Sequence, residues 1–232
     1  MNVKALALAP VIVPQALWVA ARAARLPEAG GARSGAVGTG PPLRLLVLGD
    51  SSAAGVGVET QSEALGGRLA DALAQRFTVQ WHVLAKSGGT VRSTRRMVAA
   101  QPDGAMDVVC IALGVNDAKN GHSLRAWTDG YTDLLQEVSA KFGARCICVS
   151  GLPPVRHFPV LPSPLSGVLG DRIELFDHHL RQIADTREGT HYLPLDFSME
   201  VTQMAPDGFH PGPEIYHEWA RRAAQLLAQI GY

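Results

Sequence analysis

From Leu43 onward, short apolar runs alternate with stretches whose apolar positions recur at helical spacing. Leu43–Leu48 (LRLLVL) is apolar at nearly every position, as expected of a strand covered on both faces of a parallel sheet. Ser62–Arg76 follows with Leu65, Leu69 and Leu73 four apart, which predicts a helix. Strands are predicted next at Val79–Leu84, Asp107–Leu113 (DVVCIAL), Arg145–Ser150 (RCICVS) and His191–Leu195, with helices over Val91–Ala100, Ser123–Phe142 and Asp171–Asp185 between them. Pro211 or Pro213 opens a final helix, a position where the missing proline N–H is harmless. Strands alternating with helices imply right-handed βαβ units. The fold expected is therefore α/β: a flavodoxin-like, doubly wound, five-stranded parallel sheet in three α/β/α layers, with strand order 2-1-3-4-5.

Ahead of this region the pattern differs. Residues 1–26 carry a mostly apolar run from Ala5 to Ala24, with Lys4 before it and Arg22 and Arg25 near its end. Three readings fit: a secretory signal with Ala21-Arg22-Ala23 as a small-x-small cleavage site, a membrane anchor, or a helix packed on the domain. The first two imply an exported or membrane-associated protein and contact with a membrane, the third a cytoplasmic one. Pro10, Pro14 and Gln15 interrupt the run. Residues 27–42, rich in Gly, Ala and Pro, read as a linker, which leaves 43–232 as one domain.

Charge and cysteines exclude more than they suggest. Lys+Arg and Asp+Glu are matched at 21 each, which argues against a nucleic-acid partner. Cys110, Cys146 and Cys148 all fall in strand-like runs and read as buried free thiols. No HExxH or cysteine-rich spacing suggests a metal, and adjacent His178 and His179 point different ways on a helix. No cofactor is called for.

The chemistry-bearing residues cluster at one sheet edge. Gly49-Asp50-Ser51-Ser52 follows the first strand, Ser87-Gly88-Gly89-Thr90 the second and Gly114-Val115-Asn116-Asp117 the third. Asp207-Gly208-Phe209-His210 lies in the long loop after the fifth, and the length of Phe197–Gly212 gives its histidine the reach to return to the first strand. A serine hydroxyl needs a base, and an imidazole suits that task near neutrality. Asp207, three residues before His210, is placed to fix its tautomer. Each residue alone has a plainer role: Asp207 as a helix cap, His210 as a surface residue, Gly88 and Gly89 as a turn, Asn116 as a cap. Asp50 and Asp117 are expected to brace their loops.

GDS, the glycine of SGGT, the G-x-N-D of GVND and the D-x-x-H of DGFH resemble, in order, the four blocks of the SGNH (GDSL-like) hydrolases; Ser52 stands where many members have leucine. The resemblance implies a serine esterase with Ser51 as nucleophile and acyl-enzyme site and Asp207–His210 as its base. It also implies an oxyanion hole formed by the Ser51 N–H, the Gly88 N–H and the Asn116 side-chain amide. The substrate would be a small-molecule ester of short to medium acyl chain; a carbohydrate O-acetylesterase, a thioesterase or a lysophospholipase would use the same site. Outside enzymes, the fold also suits a catalytically silent binding module. Leu152–Gly170, apolar and proline-rich, is expected to wall the acyl pocket, with Phe158 against substrate.

Overall fold

The computed structural model describes residues 6–22, 24–197 and 200–232; Lys4, Ala5 and Ala23 of the N-terminal reading lie outside them. The elements run α1 (Ala9–Arg22), β1 (Ser34–Val37), β2 (Pro42–Gly49), α2 (Leu65–Leu73), β3 (Thr78–Ala85), α3 (Val91–Ala99), β4 (Val108–Ala112), α4 (Val115–Lys119), α5 (Leu124–Phe142), β5 (Cys146–Ser150), α6 (Leu165–Asp185), β6 (Thr190–Leu193) and α7 (Pro213–Gln229). The strands form one sheet in the order β1-β3-β2-β4-β5-β6. From β3 to β6 all pairs are parallel, and their order is the 2-1-3-4-5 expected.

Alternation along β2 explains the layering. Leu45 and Val47 point to a core shared with α2 and α7, which contribute Leu69, Ile215 and Trp219. Leu46 and Leu48 point to the opposite core, filled from α5 and α6 by Trp127, Tyr131, Leu134 and Phe176. With both faces covered, the central strands are apolar throughout. The three cysteines are buried and free, and burial beside Cys148 pushes the Cys146 thiol up to about 12.

Four local expectations change. The sheet has six strands, because Ser34–Val37, within the stretch read as a linker, pairs antiparallel with β3. SGAV has no apolar alternation to reveal a strand; the backbone ladder makes it. A Cβ at Gly35 would sit 3.0 Å from Trp81 Nε1, so glycine lets that indole lie across the edge. The helix expected from Asp171 begins at Leu165, directly after Pro164, because Leu165, Val168 and Leu169 are already partly buried. α4 is too short for periodicity to show. Finally, α1 continues through Pro14, at the loss of one helical hydrogen bond.

Candidate active site

β2 ends at Gly49, where a Cβ would lie 2.1 Å from the Ala112 carbonyl oxygen, so only glycine allows β2 and β4 to meet this closely. Asp50 N–H donates to that same carbonyl (3.1 Å), and the chain then turns, with Val56 N–H donating to Ser51 O (2.9 Å). Ser51 thereby stands at the carboxyl edge of the first parallel strand. His210 comes from the far side. β6 lies three strand spacings from β2, about 14 Å, and the loop between β6 and α7 returns across that distance. It is held by a Met204–Pro211 bridge and by Ala205 N–H donating to His210 O (2.9 Å). The Tyr216 hydroxyl ties α7 to the serine turn by donating to Val56 O (2.7 Å).

Three of the expected residues meet in a line. Ser51 Oγ lies 2.9 Å from His210 Nε2, and His210 Nδ1 lies 2.5 Å from Asp207 Oδ2. The other Asp207 oxygen accepts from the Phe209 and His210 N–H groups, both at 3.0 Å. Burial raises the Asp207 carboxyl, but the bonds from His210 and the two N–H groups outweigh it and hold it below the ordinary carboxylate range. Asp207 is thus a local brace and the imidazole's partner together.

The expected oxyanion donors are arranged less uniformly. Gly88 takes φ +75°, a conformation that favours glycine. Among the described residues, neither the Ser51 N–H nor the Gly88 N–H has an acceptor. Asn116 is buried, and its Nδ2 donates to the Gly89 carbonyl at 3.0 Å and to Asp50 Oδ2 at 3.3 Å. Its amide therefore joins the loops after β2, β3 and β4, the contact to Asp50 being the longer of the two.

Asp50 and Asp117 brace their loops as expected. Asp50 accepts from Ser52 N–H (3.1 Å) and Ser52 Oγ (2.9 Å). Asp117 accepts from Val91 N–H (3.1 Å), the first amide of α3, and pairs with His122 Nδ1 (2.9 Å). Burial raises both carboxyls, against those hydrogen bonds. Arg172 of α6 fixes α4 from behind by donating to the carbonyls of Ala118 (2.7 Å) and His122.

Ser51, Asn116 and His210 open on a narrow apolar cavity of about 60 Å³. Phe158 lines it as expected, edge-on to Phe209 with ring centroids 5.5 Å apart. Phe209, Met204, Ile215 and Trp219 also line it and were not singled out from sequence. Phe209 had a signal, being the apolar neighbour of His210. Ile215 and Trp219, four apart on α7, look in sequence like any core pair. Trp127 stays out of the cavity, wholly buried against Tyr131 and Phe176.

The model of the GDSL-like lipase/acylhydrolase family matches residues 47–218. Curated protein sequences gave no match. Among solved structures, a carbohydrate esterase family 2 enzyme with a carbohydrate-binding domain from Corynascus thermopiles (Myceliophthora fergusii) is similar at TM-score 0.66 and 16% identity, over 84% of this chain and 69% of that one. TesA is similar at TM-score 0.63 and 21% identity, over 81% of this chain and 99% of TesA. The psychrotrophic esterase EstA from Pseudoalteromonas sp. is similar at TM-score 0.60 and 20% identity, over 81% of this chain and 97% of that one. At these identities the structures speak for the fold, while the family match covers all four sequence blocks, and the chain belongs to the GDSL-like lipase/acylhydrolase family of carboxylic ester hydrolases.

Proposed function

We propose that the protein hydrolyses esters of short carboxylic acids through an acyl-enzyme on Ser51. The observation that carries this reading is the Ser51–His210–Asp207 hydrogen-bonded line beside a small apolar cavity. Ser51 Oγ attacks the ester carbonyl carbon as its proton passes to His210 Nε2. The carbonyl oxygen becomes an oxyanion, for which the acceptor-free N–H groups of Ser51 and Gly88 are ready donors and the Asn116 amide a third. Collapse breaks the bond to the alkoxy oxygen, which leaves as the alcohol with the proton from His210. Water then repeats the sequence on the acyl-enzyme, with His210 again taking a proton, and releases the acid with Ser51 restored. Asp207 keeps its charge and holds the imidazole with Nδ1 protonated.

Cavity size selects the acyl group. At about 60 Å³ it holds roughly four or five water-sized groups, which fits acyl chains of roughly two to four carbons. With p-nitrophenyl esters, kcat/KM should peak in that range and fall toward palmitate. Phe158→Leu should move the peak to longer chains. A wild-type profile rising steadily to long chains would overturn the short-acyl reading. The same small cavity favours a second reading, removal of acetyl groups from a sugar, since only the acyl part must enter it. Acetylated xylose or xylan beside the aryl esters separates the two: a higher kcat/KM for the sugar ester selects the carbohydrate substrate.

A further inference from the structure

A surface helix usually turns a polar face to water; α1 does not. Its inner positions Ile12, Gln15 and Val19, with Leu8 just ahead of it, are partly covered, at the spacing of one helical face. There the Gln15 side chain brackets the turn before α6, donating to Ser163 O (2.8 Å) and accepting from Leu165 N–H (3.1 Å). Its outer face is apolar as well: Val13 is 53% exposed, Leu17 67% and Trp18 50%. No residue of α1 is buried. A helix apolar on both faces and covered on one asks for a second cover.

Length and charge decide what that cover is. Fourteen residues rise only about 21 Å, short of a bilayer core of about 30 Å. Among the described residues no helix is long and apolar enough to cross a membrane. Residues 1–27 contain three cations, Lys4, Arg22 and Arg25, and no acidic residue. The Arg22 guanidinium lies over the Trp18 ring, 5.0 Å from its centroid, a pairing that suits the polar boundary of a lipid layer. A second copy of this segment would bring further cations and no anions, whereas an anionic phospholipid surface supplies both the apolar layer and the complementary charge.

The same face is continuous with the active site. Trp18, Val19 and Arg22 line a groove of about 610 Å³ that runs past Pro159, Val160 and the 63%-exposed Val201 to Met204. Met204 also lines the cavity beside His210. We infer that α1 is an interfacial helix that lays the protein on an anionic phospholipid surface with this groove at the lipid boundary.

The test is sedimentation of the full chain with vesicles, read independently of catalysis. It should bind vesicles of phosphatidylcholine containing phosphatidylglycerol, more weakly those of phosphatidylcholine alone, with the preference lost in high salt. V13E/L17E should lower the affinity about tenfold or more, since each side chain gives up its burial in lipid. Its hydrolysis of soluble p-nitrophenyl acetate should be unchanged, which also reports that it is folded. R22E/R25E, with the apolar face intact, should lose only the preference for anionic vesicles. Failure to bind either vesicle would overturn the inference. So would a wild-type dimer in solution that V13E/L17E dissociates, because a second copy would then be the cover.

Discussion

Asp50 and Asp207 are both nearly inaccessible, 5% and 7% exposed, and both interact electrostatically with His210, yet their carboxyls move in opposite directions. Asp50 sits under the serine turn, enclosed by the loops after three strands. Its bonds from Ser52 do not offset burial, and its carboxyl is raised. Asp207 borders the open groove beside α1 and accepts from one imidazole and two N–H groups, and its carboxyl is lowered. Each carboxyl accepts three hydrogen bonds, so what separates them is depth and partner: Asp50 is enclosed under the turn, whereas Asp207 borders the groove and is bonded to an imidazole. Asp207 is the carboxylate bonded to the imidazole, while Asp50, next to Ser51, holds the turn.

The largest break in this comparison should come from Asp207→Asn. The amide still accepts from the Phe209 and His210 N–H groups, so the loop keeps its shape, but the charge and the tautomer control are gone. A fall of about 10³–10⁴ in kcat is expected, with unchanged circular dichroism. Near-normal kcat with only a lower melting temperature would reduce Asp207 to a brace. Linkage adds a sign: a carboxyl held below its unfolded value adds stability above that value and loses it as pH falls through the native one. The wild type should therefore shed more stability than Asp207→Asn as pH drops below the ordinary carboxylate range.

Asn116→Ala should cost less, about 10²–10³ in kcat, since it removes one donor while Ser51 and Gly88 remain. A rise in KM at normal kcat would instead make Asn116 a ground-state contact.

The smallest effect sharpens the comparison most. Asp50→Asn should lower kcat by no more than about tenfold, because no step uses its charge. It also removes a carboxyl whose burial raises it, a group that destabilises the fold more as pH rises through its native titration. The variant's melting temperature should therefore gain on the wild type as pH increases from acid to neutral. A loss in kcat as large as that of Asp207→Asn would show that the two carboxylates share the catalytic burden.

The two regions also differ in how far they are legible in the sequence. Around Asp50 each functional residue follows a strand within a few positions, so continuous apolar runs place Ser51, Gly88 and Asn116 at one edge. Even there, the turn of Asn116 toward Gly89 and Asp50 is set by side-chain hydrogen bonds that spacing does not encode. Around Asp207 the strand signal ends at Leu195 and the strand itself at Leu193, and the return of His210 depends on long-range contacts such as Tyr216 to Val56 and the Met204–Pro211 bridge. The D-x-x-H spacing marks the pair; the cavity wall from Met204, Ile215 and Trp219 depends on how α7 packs. β1 was hidden for a related reason, since a four-residue edge strand of SGAV is made by backbone pairing with β3 rather than by its side chains.

The central claim is that Ser51 is the nucleophile of an acyl-enzyme, and covalent capture tests it most directly. The full chain treated with a fluorophosphonate should gain one adduct, lose esterase activity in step with labelling, and yield the adduct on the tryptic peptide containing Ser51. Ser51→Ala should fold normally and take no label. An adduct on another serine, or full activity in Ser51→Ala, would contradict the account.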